Sequence, residues 1–104
     1  MMFGLSDNKS PEKQAALMLS ALGNAHRLRI YRLLVRAGPA GVSVGDVQRH
    51  VGIPASTLSH HIAALKEVDL ITQHRAGRTI FSCANYDLMD GLLAYLTDEC
   101  CVDS

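Results

Sequence analysis

Tryptophan is absent from this chain, and three tyrosines and two phenylalanines are its whole aromatic content. The core must therefore rest on Leu, Ile, Val and Ala. No apolar run approaches the ~18 residues that a membrane span needs. Met1 to Ser10 lacks the charged-then-apolar order of a secretory signal. Both absences point to a cytoplasmic protein with no membrane partner. The cysteines are three, Cys83, Cys100 and Cys101, an odd number that argues against a structural disulfide framework. No nucleophile–base–orienter set and no phosphate-cradling glycine loop stands out, so an enzyme has little support.

Net charge is also lacking: ten basic residues balance ten acidic ones. The balance hides a segregation. Residues 26–78 hold seven arginines and Lys66 against Asp46, Glu67 and Asp69, whereas residues 79–104 hold acids and no base. A basic middle and an acidic end suggest a charged binding face with a separate tail.

The 104 residues suit one domain, 1–104, with a loose arm over 1–9 and a cysteine-bearing tail over 98–104. Ser10 followed by Pro11 is a helix start, a capping hydroxyl before proline in the first turn. The helix it opens, ended by Gly23, is apolar on most sides and calls for burial against a partner subunit. Asn24 caps a second helix to about Ala37, with Leu28, Ile30, Leu33 and Leu34 apolar and Arg27, Arg29, Arg32 and Arg36 polar. Gly38, Pro39 and Gly41 break it. Ser43 and Asp46 open a third helix that stops at Gly52. A fourth runs from Pro54 to about Val68 on the buried stripe Leu58, Ile62, Ala63 and Leu65. Leu70 to Arg75 and Thr79 to Cys83 read as a β-hairpin turning at Ala76, Gly77 and Arg78. Tyr86 to Leu96 is a last amphipathic helix. The expected fold is mainly α with a small β-hairpin: a winged helix-turn-helix of about five helices and a two-stranded wing, homodimeric.

Two short helices across a glycine turn, followed by a basic hairpin, are an arrangement suited to double-stranded DNA. A recognition helix buries one face and offers short hydrogen-bonding side chains near its N-terminus to base edges. Ser56, Thr57, Ser59, His60 and His61 are candidates for that work, although His61, beside Ile62, also suits a half-buried structural role. Arg49, Lys66, Arg75 and Arg78 are candidates for phosphates, which supply most of the affinity.

The run Ala21-Leu22-Gly23-Asn24-Ala25-His26-Arg27-Leu28-Arg29-Ile30 resembles the opening of the ArsR/SmtB family of metalloregulatory repressors. Thr57-Leu58-Ser59-His60-His61-Ile62-Ala63-Ala64-Leu65 resembles that family's recognition helix. Val68-Asp69-Leu70-Ile71 followed by Arg75-Ala76-Gly77-Arg78 resembles its wing. The resemblance spans roughly residues 12–97. It implies a homodimer joined through its first and last helices, which represses an operon until an inducer binds.

The inducer must be read residue by residue. The cysteine cluster that many arsenic sensors of the family carry in or beside the third helix is missing, since Val44 to His50 contains no cysteine. The zinc sensors' Asp-x-His on the last helix is missing too, because Asp87 precedes Leu88 and Met89. What remains is Cys83 at the end of the hairpin and Cys100 and Cys101 after the last helix. Thiolates favour thiophilic species, among them trivalent arsenic. Arsenite can take three sulfurs and a methylated arsenical two, and either is an expected inducer; no cofactor is required. Cys83 and Cys101 stand 18 positions apart with a helix between them, a separation of roughly 20 Å or a little less. Pairing across an antiparallel dimer would bring them together in two symmetric sites. The alternatives are a thiol redox or persulfide switch on the same fold, and a protein-interaction module that does not bind DNA.

Overall fold

The computed structural model describes residues 10–98. The expected arm over 1–9 and the cysteine pair, Cys100 and Cys101, lie outside the described residues. Helix α1 (Pro11–Leu22) begins where Ser10 Oγ accepts from the Lys13 amide at 3.2 Å. Its residues Ala15, Met18 and Ala21, at helical spacing, are buried. Leu17 and Leu19 on its other side are exposed in the single chain, at 43% and 44%.

Helix α2 (Ala25–Ala37) is capped by Asn24 Oδ1, which accepts from the amides of His26 and Arg27 at 3.0 and 3.2 Å. Ile30, Tyr31 and Leu34 form its buried side, and it packs against α1, α3, α4 and the sheet. Strand β1 (Val42–Ser43) leads directly into α3 (Val44–Val51), whose first turn is capped by Ser43 Oγ on the Asp46 amide at 3.2 Å. Gly52 closes α3 in the left-handed region. Helix α4 (Ala55–Glu67) follows, with Leu58, Ile62 and Leu65 facing inward, whereas Ala63, expected on the same stripe, is exposed and lines the groove beside the hairpin.

The sheet is antiparallel, in the order β1-β3-β2, with β2 (Ile71–Ala76) and β3 (Thr79–Ala84) joined by the turn at Gly77 and Arg78. The hairpin is therefore extended by a third strand, β1, beyond the two strands expected from the sequence. Two residues are too few to show an alternation, and Val42 and Ser43 become a strand only because Ser82 and Phe81 lie opposite them. Helix α5 (Tyr86–Leu96) starts at Asn85, whose Oδ1 accepts from the Leu88 amide and whose Nδ2 donates to the Asp69 carbonyl. Tyr86 Oη donates to the carbonyls of Val35 and Leu34 at 2.9 and 3.2 Å, fastening α5 to the end of α2. Met18, Ile30, Leu34, Leu58, Leu65, Leu70, Ile71 and Leu92 fill the centre and are almost wholly shielded from solvent. Among the described residues no helix is long and apolar enough to cross a membrane.

Candidate nucleic-acid interface and thiol site

Burying Leu58, Ile62 and Leu65 forces the opposite side of α4 outward, since side chains three and four positions apart share a face. Ser56, Thr57, Ser59 and His60 are accordingly exposed, three of them in the first turn and a half of the helix. The helix has no side-chain cap, because Pro54 occupies that position. Its first amide groups thus remain available to an anion such as a phosphate.

Between α4, the start of α3 and the hairpin lies an open groove of about 780 Å³. Ser59 and Lys66 of α4, Arg49 of α3, and Arg78 and Ile80 of the hairpin line it. Three of the phosphate candidates named from sequence therefore meet at one groove, bordered by one of the base-reading candidates. Arg49 forms an exposed ion pair with Asp46, and Lys66 Nζ donates to Gln73 Oε1 at 3.3 Å. Both contacts lie at the surface, where water competes and such pairs add little stability. Arg75 and Arg78 are exposed on the hairpin, and Arg78 stands in its turn.

His61 does not belong with these residues. It is 8% exposed, and its Nδ1 accepts from Arg27 Nε at 3.1 Å. The His26 and His60 rings flank it at centroid distances of 5.6 and 6.0 Å. Direct base contact, the role proposed for it from sequence, is corrected to a strut between α4 and α2. One position separates the buried His61 from the exposed His60, because 100° of helical rotation carries the side chain off the outer face. Burial, then the Arg27 guanidinium, then His26 and His60 hold the His61 pKa below the ordinary 6.5. Arg27 is thus a functional neighbour, although its sequence position marks it only as part of a polar helix face. No local pattern links positions 27 and 61.

Cys83 is buried on β3 and makes no disulfide. Its Sγ lies 3.2 Å from the Pro39 carbonyl, to which the thiol donates, and 3.6 Å from His74 Nδ1. Gly41, at φ +85°, passes so close that a Cβ there would lie 2.8 Å from the sulfur and from the Ser82 carbonyl. Glycine is required at that point by both backbone and space. Cys100 and Cys101, the other expected arsenical ligands, lie outside the described residues. Among the described residues no cluster of three or more His, Cys, Asp or Glu side chains is arranged to hold a metal.

A helix-turn-helix domain family matches residues 22–74. The HTH-type transcriptional regulator YgaV of Escherichia coli is 29% identical over 97 residues, covering 93% of this chain and 96% of that protein. The crystal structure of NolR from Sinorhizobium fredii superposes with a TM-score of 0.68 at 33% identity, over 93% of this chain and 95% of that one. The homodimeric winged helix-turn-helix domain of Mb0332 from Mycobacterium bovis, described as a possible ArsR-family transcriptional regulator, superposes with a TM-score of 0.69 at 29% identity. It covers 96% of this chain and 94% of that one. YgaV is described as a transcriptional regulator and the Mb0332 domain as a winged helix-turn-helix DNA-binding domain, and that architecture is the one found here.

Proposed function

This chain belongs to the ArsR/SmtB-type helix-turn-helix transcriptional regulators, and on that premise we propose that it is a homodimeric operator-binding repressor released by a trivalent arsenical. The observation that carries the DNA reading is the groove between α4 and the wing, where Arg49, Lys66 and Arg78 converge beside the exposed Ser59. Phosphates on those cations set the position of the duplex, and Ser56, Thr57, Ser59 and His60 read base edges. A basic middle segment and an acidic end reconcile duplex binding with a net charge of zero.

Dimerisation is supported by the apolar side chains left exposed on the first and last helices. Leu17 and Leu19 of α1 and Leu93 and Leu96 of α5 are each more than two-fifths exposed. Such a surface marks an interface in a chain this small. The homodimeric Mb0332 domain gives the precedent.

The arsenical reading is supported by the position of Cys83. It sits on a wing strand, against the loop that leads from α2 to α3. A ligand there can bias both halves of the DNA-binding surface. Cys101 of the second subunit, with Cys100, supplies the other sulfurs. The inducer acts by binding the DNA-incompetent state more tightly, so inducer and operator weaken each other by the same factor. The test is a parallel titration of the operator complex with arsenite, a methylarsenical, zinc and peroxide. Release by an arsenical under reducing conditions is expected. Release by peroxide alone, reversed by a reductant, would replace this reading with a redox switch.

A further inference from the structure

Helix α2 turns a basic stripe toward the end of α3. Arg29, Leu33 and Arg36 are spaced by four and then three positions, so they share one face. With His50 and Val51 of α3 they line a pocket of about 250 Å³. This pocket lies apart from the DNA groove. Arg49 lines the groove, and Val51, two positions on, points about 200° away around the same helix. Among the described residues, neither α4 nor the hairpin contributes a side chain to the pocket.

We propose that Arg29, Arg36 and His50 form a binding site for hydrogen phosphate. The charge is the first reason. Three of the five lining residues are basic and none is acidic. Among the described residues the only ion pair joins Arg49 to Asp46, so neither Arg29 nor Arg36 is matched by a carboxylate. That pair also occupies Asp46, the acid one turn before His50. Arg29 donates one N–H to the Val51 carbonyl at 3.4 Å. This bond offsets the partial negative charge at the end of α3, and the remaining guanidinium donors are left for a ligand. The hydrogen-bond pattern is the second reason. His50 Nδ1 lies 3.3 Å from the Asp46 carbonyl. A carbonyl only accepts, so Nδ1 carries the proton and the neutral ring presents Nε2 as an acceptor. Two guanidinium donors and one imidazole acceptor match hydrogen phosphate, whose bare oxygens accept and whose hydroxyl donates. Leu33 and Val51 shield one side of the pocket, where charge-assisted bonds meet less competition from water.

The same pattern selects among anions. Sulfate matches the dianion of phosphate in charge and shape but carries no hydrogen to give to Nε2. A phosphodiester of the DNA backbone has no hydroxyl either, so the pocket suits free hydrogen phosphate better than a duplex. The site therefore does not rest on the repressor reading, and the two fail or stand separately.

The test is a titration of the reduced, full-length protein with inorganic phosphate and, separately, with sulfate at constant ionic strength. Backbone amide NMR shifts of α2 and α3 report binding. A pH of about 8 keeps an ordinary imidazole neutral, and both anions then carry two negative charges while phosphate retains one proton. Phosphate is expected to bind with a Kd on the order of 1 mM, at least about tenfold more tightly than sulfate. Arg36→Gln should weaken phosphate binding at least about tenfold. Position 36 is exposed, so this change leaves the core untouched. His50→Leu should bring the two anions to similar affinity. Arg32→Gln, an exposed arginine of the same helix that does not line the pocket, should leave phosphate binding unchanged. No binding up to about 10 mM phosphate, equal affinity for both anions in the wild type, or an unchanged affinity in Arg36→Gln would overturn the site. A salt slope of duplex binding lowered by about one in Arg36→Gln would make Arg36 a contact to DNA and overturn it as well.

Discussion

At the scale of single residues, a one-position step on α4 separates reading from holding. Ser59 and His60 face outward, whereas His61 is tied to Arg27. Ser59→Ala and His60→Ala are expected to alter which operator bases are preferred, with changes of about 1–3 kcal/mol at the affected base pair. Arg78→Ala should weaken binding to many sequences alike and lower the slope of log affinity against log salt by about one. Fluorescence anisotropy on an operator panel at several salt concentrations distinguishes the two behaviours. His61 makes a further prediction. Its folded-state pKa lies below the ordinary 6.5, so between those values the unfolded chain takes up a proton that the folded chain resists. The stabilisation is therefore complete above about pH 6.5 and is lost as pH falls through the folded-state value. His61→Asn keeps an acceptor for Arg27 and removes the titration. Denaturant unfolding at a series of pH values should show a shallower loss of stability on the acidic side for this variant. An unchanged pH profile would remove His61 as the cause.

At the scale of elements, α5 has two apolar sides with different duties. Leu92 is buried within the chain, while Leu93 and Leu96 are 55% and 50% exposed. Leu92→Ala should cost about 2–5 kcal/mol of folding stability, through lost burial and the cavity left behind. Leu93→Asp with Leu96→Asp should instead leave the monomer folded and shift sedimentation from dimer to monomer. A dimer that survives this double change would place the interface elsewhere. Helix ends were legible in the sequence because their determinants are local: Ser10, Asn24 and Ser43 cap the helices that follow them. Strand β1 was not, because its only determinant is a partner strand some forty residues away.

At the scale of the whole molecule, the arsenical proposal makes the dimer the sensing unit. A heterodimer of one Cys83→Ser subunit with one Cys101→Ser subunit should keep a single complete site. One of its two interfaces then carries both substitutions and the other neither. Arsenite titration of purified heterodimer should therefore show half the sites of the wild type. Complete loss would mean that each site lies within one chain. Linkage makes the same experiment a DNA measurement, since an inducer that binds must lower operator affinity by a matching factor.

Several features follow from the order of residues alone. Caps, glycine stops and apolar spacing act within a turn or two of chain, so the five helices and the hairpin could be placed from sequence. The same spacing set Ser56, Thr57, Ser59 and His60 on the outer side of α4. Other features needed the folded chain. The bond from Arg27 to His61, the meeting of His74 with Cys83, and the passage of Gly41 over that sulfur join positions 34, 9 and 42 apart. The last two depend on strand register and on a loop crossing the sheet, and the first on how α2 packs against α4. Through-space distances of this kind are set by packing, and no local pattern in the sequence encodes them.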